Sequence, residues 1–346
     1  MVTTTASAAD APDVERLSGP TRFSTAAAIA AEIREVQGQG PTTQTSALLV
    51  RADSFADALA ASNLTCCQSS ATPILLTGRD ELPPATIEAI EEGNVVAVTI
   101  VGGSDVVSTA VADDLRARGV QVQRIQGADR YETTFATYLN KYSFESNLPY
   151  GYFEDRATAI LATGRDFPDA IAAGPLVRES LPILLTDRDR IPDKVQWAFP
   201  GHPDPSRRCA HGICIKHVII LGGTSAISPA VEAELTRLGA TYDRIAGPDR
   251  TATAAALAQF AADEFGWTLG HVELARGDKF PDAVAGGPLG ATERSPILLA
   301  ESPTSLGDAT RTLLERHASA VSFMHVYGDA TAVSEAVVED ARRAAT

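Results

Sequence analysis

The chain has 346 residues, of which 45% are hydrophobic and 21% are charged, and its formal net charge is −15. This is an ordinary globular composition at a length that allows two or three domains, and the excess of acid argues against non-specific nucleic-acid binding, which needs basic patches. No run of about 18 apolar residues occurs, so no membrane span is predicted.

The first ten residues are small and polar. We interpret them as the N-terminus of a secreted, mature protein with an added initiator Met, from which a signal peptide has been removed. A flexible tail on a cytosolic protein is the alternative.

Helices and strands alternate through the first third of the chain. In order, the pattern predicts an extended piece at 15–19, a helix at 25–33, a strand at 46–51, a helix at 57–65, a strand at 74–76, a helix at 85–92, a strand at 95–101 and a helix at 109–118. Ser108 is a predicted N-cap, with Ser228 and Ser334 in the same place later in the chain. The strands are runs of Val, Ile and Leu without polar alternation, which predicts a parallel sheet buried on both faces.

Four motifs recur in the same order three times, about 110 residues apart. They are a glycine turn ending in arginine (Gly19–Arg22, Gly127–Arg130, Gly247–Arg250), a Phe-x-Asp-Ala motif (Phe55–Ala58, Phe167–Ala170, Phe280–Ala283), a Pro-Ile-Leu-Leu strand (Pro73–Leu76, Pro182–Leu185, Pro296–Leu299) and a strand ending in a glycine turn (Gly102–Ser104, Gly222–Thr224, Gly328–Asp329). This period is domain-sized. The sequence therefore predicts an α/β fold of three small doubly wound domains at 14–122, 123–242 and 243–346, each a mostly parallel sheet flanked by helices.

The middle copy carries the motifs most completely, as Arg-x-x-Gly-x-Asp-Arg-Tyr-x-Thr (124–133), Ala-Thr-Gly-x-x-Phe-x-Asp-Ala (162–170), Pro-Ile-Leu-Leu (182–185) and Leu-Gly-Gly-x-x-Ala-Ile-Ser (221–228). Together they closely resemble the cell wall binding repeat type 2 family of Gram-positive surface proteins. Copy one departs from the pattern at Thr21 and Phe23. Copy three departs at Thr251 and lacks the second glycine after Gly328.

The resemblance implies three modules packed as a pseudo-threefold triangle. It also implies non-catalytic, non-covalent anchoring at the cell wall, with an anionic wall polymer as the partner, either teichoic-acid-like or a wall polysaccharide. An effector domain outside this chain would be the anchored cargo. Two alternatives stay open: an α/β enzyme or nucleotide or sugar-phosphate binding protein that uses the Gly-Gly turns, and a structural surface-layer subunit.

Six arginines are the predicted polymer contacts, because guanidinium matches phosphate and carboxylate oxygens in a bidentate geometry. They are Arg22, Arg130 and Arg250 in the glycine turns and Arg51, Arg165 and Arg276 near the Phe-x-Asp motifs. The alternative for the first three is a structural one, in which they pair with Asp57, Asp169 or Asp282 and lock one module to the next.

The Pro-Ile-Leu-Leu strands read as core by composition, whereas the resemblance implies that they are needed for polymer attachment. Their candidate residues are Ile74, Leu75, Leu76, Ile183, Leu184, Leu185, Ile297, Leu298 and Leu299. Structural roles are expected for the three aspartates, which open helices, for Phe55, Phe167 and Phe280, and for Gly102, Gly103, Gly222 and Gly223. The glycine turns indicate either tight strand-to-helix connections or backbone anion sites.

No catalytic set is predicted, since no Gly-x-Ser-x-Gly turn occurs and no His or Lys recurs beside the carboxylates. No cofactor is expected. The middle copy alone carries an insert at about 200–216, with Cys209 and Cys214 and with three histidines, His202, His211 and His217, in or just after it. The spacing fits no standard zinc pattern, so a disulfide is favoured over a metal site. The state of the adjacent Cys66 and Cys67 is left open.

Overall fold

The computed structural model describes residues 11–65, 71–144, 152–153, 155–166, 169–209 and 214–346. The expectations for the first ten residues, for Cys66 and Cys67, for Phe167 and for His211 lie outside the described residues. Within them, no helix is long and apolar enough to cross a membrane.

The described strands are β1 (Asp13–Leu17), β2 (Thr45–Arg51), β3 (Ile74–Thr77), β4 (Val95–Val101), β5 (Gln121–Ile125), β6 (Tyr152–Phe153), β7 (Arg156–Thr163), β8 (Ile183–Thr186), β9 (His217–Leu221), β10 (Thr241–Ile245), β11 (His271–Arg276), β12 (Ile297–Ala300) and β13 (Phe323–Tyr327). The α-helices are α1 (Arg22–Val36), α2 (Phe55–Ser62), α3 (Pro84–Glu92), α4 (Thr109–Ala117), α5 (Arg130–Phe144), α6 (Asp193–Gln196), α7 (Pro229–Arg237), α8 (Arg250–Phe265), α9 (Pro281–Glu293), α10 (Asp308–Arg316) and α11 (Glu335–Ala344). Two 3-10 helices, Ile171–Glu179 and Pro205–Arg207, complete the set. We call Ile171–Glu179 the central 3-10 helix.

The strands form three separate sheets. The first has the order β3-β2-β4-β5, the second β8-β7-β9-β10 with β6 added beside β7, and the third β12-β11-β13-β1. Every pairing is parallel except that of β6 with β7. Three parallel sheets flanked by helices confirm the predicted fold class.

The third sheet borrows its last strand from the start of the chain. Residue 13 pairs with residue 323 and residue 17 with residue 327, so β1 lies beside β13. In the first two sheets this place is taken by β5 and β10, each of which follows the helix after the glycine turn. β1 thus fills in the third sheet the position that β5 and β10 fill in the other two, and it links the start of the described chain to module 3.

The strand pairing places the boundaries between sheets a few residues after the expected domain boundaries. Positions 122 and 242 fall inside β5 and β10, and both strands pair with the preceding sheet. We therefore describe module 1 as residues 22–125, module 2 as residues 130–245, and module 3 as residues 250–346 together with β1.

One helix from each module meets at the centre. These are α2, the central 3-10 helix and α9, and each of the three contacts the other two. Two glycines make this possible, since a Cβ on Gly174 would lie 2.9 Å from Cα of Gly287. The rings of Phe55 and Phe280 also meet across the centre, edge to face at 6.4 Å.

The outer packing follows a cyclic order. The first helix of each module contacts the central helix of a neighbouring module: α5 contacts α2, α8 contacts the central 3-10 helix, and α1 contacts α9. Each module thus contacts one neighbour through its first helix and the other neighbour through its central helix. The three modules form a pseudo-threefold arrangement.

A buried amide ties module 1 to module 2. The side-chain oxygen of Asn63 accepts from the backbone N–H of Ile183 at 2.7 Å, and its amide nitrogen donates to the carbonyl of Ile183 at 2.9 Å and to Thr137 at 3.1 Å. Ile183 opens β8, an edge strand of the second sheet. Asn63 therefore occupies the hydrogen-bonding positions that a further strand would take.

The three predicted caps stand at the N-cap position of α4, α7 and α11. Only Ser334 accepts a backbone hydrogen bond, from Val337. The hydroxyls of Ser108 and Ser228 are buried without a hydrogen-bond partner. The backbone N–H groups of these serines donate to the backbone carbonyls of Arg79 and Arg188. The expectation of three hydroxyl caps was therefore wrong at two positions.

Candidate functional site

The arginines of the glycine turns have the same setting in each module. Each donates to a backbone carbonyl just after β2, β7 or β11: Arg22 to Ala52 at 3.1 Å, Arg130 to Gly164 at 2.6 Å and Arg250 to Gly277 at 2.7 Å. These carbonyls lie at the carboxyl ends of β2, β7 and β11. In parallel α/β sheets, ligands bind in crevices outside this edge.

The aspartates of the Phe-x-Asp motifs lie against the glycine turns. Gly102, Gly222 and Gly328 have φ of +115°, +99° and +95°, a region that favours glycine. A Cβ on them would lie 3.1, 2.5 and 3.1 Å from the carboxylate oxygen of Asp57, Asp169 and Asp282 respectively. The first glycine of the turn is thus required both for its backbone conformation and for the approach of the aspartate.

This geometry explains the shortened turn in copy three. Gly328 has the same φ region and the same aspartate contact as Gly102 and Gly222. The position that differs is the second one, where Asp329 replaces Gly103 and Gly223, and neither of those glycines has a positive φ or a heavy atom closer than 3.5 Å to a Cβ. The structural turn of copy three is therefore intact.

A cleft of about 150 Å³ lies where module 1 adjoins module 3. Arg22 and Thr25 line it from module 1, and Arg276, Lys279 and Asp282 line it from module 3. Burial raises the pKa of Asp282 to about 6, against the opposing influence of Arg276 and Arg22. The cleft thus brings three cations to the buried carboxylate of Asp282 and to Asp329, which also lines it.

The junction of modules 1 and 2 repeats this relationship. Burial raises the pKa of Asp57, while its hydrogen bond from Ser54 and the charges of Arg130 and Arg51 lower it. The guanidinium of Arg130 also lies over the ring of Phe55, 5.5 Å from its centroid. At two junctions, therefore, an arginine of one module faces the Phe-x-Asp motif of its neighbour.

The structural alternative of a direct Arg-Asp lock does not fit these contacts. Among the described ion pairs, none joins Arg22 or Arg130 to Asp57, Asp169 or Asp282. Asp57 instead accepts from Ser54 at 2.6 Å in its own module. Arg22 influences Asp282, and Arg130 influences Asp57, through space and without a described ion pair.

A second arginine triplet was missed from the sequence. Arg16, Arg124 and Arg244 each donate to the carbonyl of the first glycine of the turn, at 2.7 Å to Gly328, 2.8 Å to Gly102 and 2.5 Å to Gly222. The sequence signal was an arginine directly before the Leu or Ile that ends β1, β5 and β10. These arginines fix the glycine turn, so they recur in all three modules as the six predicted arginines do.

The arginines near the Phe-x-Asp motifs each have a carboxylate partner. Arg51 pairs with Asp53, Arg165 with Asp187 at 2.6 Å, and Arg276 with Asp278 at 2.7 Å. The partner neutralises each charge locally. These three therefore present less free positive charge than their number suggests.

The Pro-Ile-Leu-Leu strands form part of the core. All nine candidate side chains, at positions 74–76, 183–185 and 297–299, are at most 2% exposed. The surrounding helices cover both faces of each sheet, so a polymer cannot reach these side chains in the folded protein. Their expected role as direct polymer contacts is corrected to a structural one.

The glycine turns offer little to an anion. The N–H groups of Gly102, Gly222 and Gly328 donate to the carbonyls of Ile125, Ile245 and Leu17. A carboxylate also lies against each turn. A phosphate there would meet a like charge and no free first N–H, which argues against the nucleotide-binding alternative.

The insert of module 2 holds a disulfide between Cys209 and Cys214. Nδ1 of His202 accepts from the N–H of Asp204 at 3.1 Å, and His217 lies in β9, where Nδ1 is 2.9 Å from the hydroxyl of Thr241. The cysteines and these two histidines form no common site within the described part of the insert.

A polar cluster in the core of module 3 was also missed. Glu273 and His325 are buried on adjacent strands, and Glu293 lies beside them at the end of α9. No sequence motif marks them, although a charged residue inside each of two apolar strands was a visible signal.

Three segments of the chain, residues 16–112, 124–232 and 244–338, match the family described as Cell wall binding domain 2 (CWB2). The chain belongs to the CWB2 family. Each segment contains one full copy of the four motifs and most of one module of the structure.

Two curated proteins from Bacillus subtilis (strain 168) are similar in sequence to this chain. N-acetylmuramoyl-L-alanine amidase LytC is 26% identical over 325 residues, which cover 94% of this chain and 57% of the relative. Amidase enhancer is 29% identical over 290 residues, covering 82% of this chain and 34% of the relative. The CWB2 chain thus spans about half the length, or less, of these relatives.

Two solved structures share the fold. Cwp6 from Clostridium difficile superposes with a TM-score of 0.75 at 22% identity, covering 98% of this chain and 49% of that one. Cwp8 from the same organism gives a TM-score of 0.75 at 24% identity, covering 96% and 52%. At these identities the likeness concerns the three-module architecture of the CWB2 chain.

Proposed function

We propose that the three CWB2 modules anchor a secreted protein at the bacterial cell surface by binding an anionic wall polymer. The binding is non-covalent and non-catalytic, and the polymer lies in the clefts between modules. The observation that carries this proposal is the recurrence of Arg22, Arg130 and Arg250 at the carboxyl edge of the three sheets.

The arginines suit this role because their guanidinium groups are oriented. One N–H of Arg22 and one of Arg130 are held by a backbone carbonyl, which orients further donors of each planar group for oxygens of a phosphate or carboxylate. At the junction of modules 3 and 1, Arg276 and Lys279 line the same cleft as Arg22. Arg51 and Arg165, near the equivalent motifs of modules 1 and 2, are proposed as secondary contacts.

The net charge of −15 does not oppose this binding at short range. Charges further away than about 10 Å are largely screened at ordinary salt concentrations. The cations of the cleft therefore decide the sign of the interaction with a polymer segment that has entered it. Three equivalent sites on one chain raise the retention further through multivalency.

Sedimentation with purified cell walls tests the proposal. We expect the protein to pellet with intact walls and to stay in the supernatant after the anionic secondary polymer has been extracted. Pelleting should weaken as salt is added, since cations of the protein replace counterions of the polymer. Equal pelleting with intact and extracted walls would contradict the choice of polymer, and no pelleting with either would contradict wall binding.

A further inference from the structure

Module 3 contains three side chains that point at one spot inside the core. Nδ1 of His325 lies 3.3 Å from Oε2 of Glu273 and 3.4 Å from Oε2 of Glu293. All three atoms are buried, and none makes a hydrogen bond of standard geometry with a described residue. Glu273 is fully buried and the His325 side chain is 2% exposed. Buried charged groups without well-formed hydrogen bonds are costly to fold, so the cluster favours a further partner that all three can bind.

The other two modules show what this position ordinarily holds. Glu273 pairs in register with Ile297, as Leu48 pairs with Ile74 and Ile160 with Ile183. The register likewise places His325 of β13 at the position of Ile219 in β9 and of Thr99 in β4. Neither of the other modules therefore has a charged or titratable side chain at these two positions. Module 3 has a carboxylate and an imidazole there, and they face each other.

We propose that His325, Glu273 and Glu293 form a binding site for a divalent metal ion of the zinc class. The three ligand atoms lie within 4.8 Å of one another. Zinc bonds to histidine nitrogen and carboxylate oxygen are about 2.0–2.2 Å long, so ligand atoms of a tetrahedral site stand about 3.4 Å apart. Both measured separations from Nδ1 agree with this spacing. One nitrogen and two carboxylate oxygens suit zinc and its first-row neighbours better than calcium.

The surroundings of the three ligands fit a metal site. Nε2 of His325 faces Oε2 of Glu15 at 4.0 Å, and Glu32 of α1 lies in the same group. Histidine ligands of metals commonly turn their other ring nitrogen toward a carboxylate. The second oxygen of Glu273 accepts from the hydroxyl of Ser295, which holds the first oxygen in place. Four carboxylates around one imidazole leave an excess of negative charge that a divalent cation offsets.

The site would join three elements that are distant in the sequence. Glu273 lies on β11, Glu293 ends α9, and His325 lies on β13 between β11 and the borrowed strand β1. A bound ion would cross-link the third sheet to its central helix, beside the place where the ring of modules closes. We therefore expect the metal to stabilise module 3 without contacting the clefts.

Zinc titration of the full chain tests the site. The protein is stripped with a chelator and studied in a Cys66→Ser/Cys67→Ser background, which removes these two thiols as competing ligands. We expect one equivalent of Zn²⁺ to bind by calorimetry and the Tm to rise by at least about 2 °C at saturating metal. X-ray absorption of the zinc-loaded protein should show only nitrogen and oxygen ligands at about 2.0–2.2 Å.

The matched variant is Glu273→Leu/His325→Ile, which introduces the residue type of Leu48 in module 1 and of Ile219 in module 2. It should fold and lose at least about 100-fold in zinc affinity, since changes outside the first ligands alone cost about 10–100-fold. His317→Gln, a histidine outside the cluster, should bind zinc as the wild type does. The proposal is overturned if the wild type binds no zinc, because a protonated His325 between the two carboxylates would then be the sole occupant. It is equally overturned if the absorption spectrum shows sulfur ligands or if the double variant keeps its affinity.

Discussion

The backbone N–H of Gly328 donates to the carbonyl of Leu17 at 3.0 Å, so the last glycine turn of the chain is held by its first strand. The same bond joins Gly102 to Ile125 and Gly222 to Ile245 within single modules. In module 3 the partner comes from the opposite end of the sequence. Ring closure is thus built into the hydrogen bonding of one turn.

Leu17→Ala tests this closure. The Leu17 side chain is buried, and truncating a buried leucine lowers the unfolding free energy by about 2–5 kcal/mol. Ile125→Ala, at the equivalent place in module 1, is the matched control. Hydrogen exchange should show the lost protection in β13 for Leu17→Ala and in β4 for Ile125→Ala. Unchanged protection of β13 would show that β1 does not support the third sheet.

Gly222→Ala and Gly223→Ala separate the two glycines of a turn. A Cβ at Gly222 would lie 2.5 Å from Asp169 at a φ of +99°, whereas a Cβ at Gly223 would meet nothing closer than 3.9 Å. In urea unfolding, we expect Gly222→Ala to lower the free energy of unfolding by about 1–3 kcal/mol. Gly223→Ala should change it by less than about 0.5 kcal/mol. Equal losses would contradict the assigned roles.

The sequence was sufficient for the repeat and for the fold class, because both depend on patterns within one module. Apolar strands alternating with helices predict a parallel sheet whichever neighbour it packs against. The order of the four motifs also placed the arginines and the aspartates correctly at loop and helix starts. These features are local, so a single copy of the motifs defines them.

The features missed are those that join distant parts of the chain. No local pattern shows that the strand at Asp13–Leu17 pairs with β13, since a short extended segment fits either end of a sheet. The core position of the Pro-Ile-Leu-Leu side chains was visible in their composition, but the resemblance suggested a direct contact as well. The cluster of Glu273, Glu293 and His325 unites three elements, and only the strand register reveals it.

Asn63→Ala tests the tie between modules 1 and 2. The substitution leaves the buried N–H and carbonyl of Ile183 without the amide that satisfies them. Each buried polar group left unpaired costs about 1–3 kcal/mol, so we expect the free energy of unfolding to fall by about 2–5 kcal/mol. Asn140→Ala, whose amide donates to the carbonyl of Ala136 within α5, serves as the control for urea unfolding. A loss below about 1 kcal/mol for Asn63→Ala would show that water replaces the amide.

Asp282→Asn tests the buried carboxyl at the cleft. Burial raises the pKa of Asp282 to about 6 from a reference of 3.8, so folding favours its protonated form. The stability from this group is therefore fully present below about pH 4 and is lost as the pH rises through about 6. Two pKa units correspond to about 3 kcal/mol, an upper figure for the change. Urea unfolding should show Asp282→Asn gaining stability relative to wild type between pH 4 and pH 7, and a constant difference would contradict the raised pKa.

Wall retention of a triple arginine variant tests the central claim most directly. The test variant, Arg22→Ala/Arg130→Ala/Arg250→Ala, removes the three arginines of the glycine turns. The control variant, Arg116→Ala/Arg237→Ala/Arg343→Ala, removes three exposed arginines from α4, α7 and α11 and changes the net charge by the same amount. Both variants should stay folded by circular dichroism, with about 1 kcal/mol lost for each cleft arginine hydrogen bond. We expect the cleft variant to lose pelleting with intact walls and the control variant to pellet as the wild type does. A folded cleft variant that pellets with the wild-type salt dependence would contradict the account.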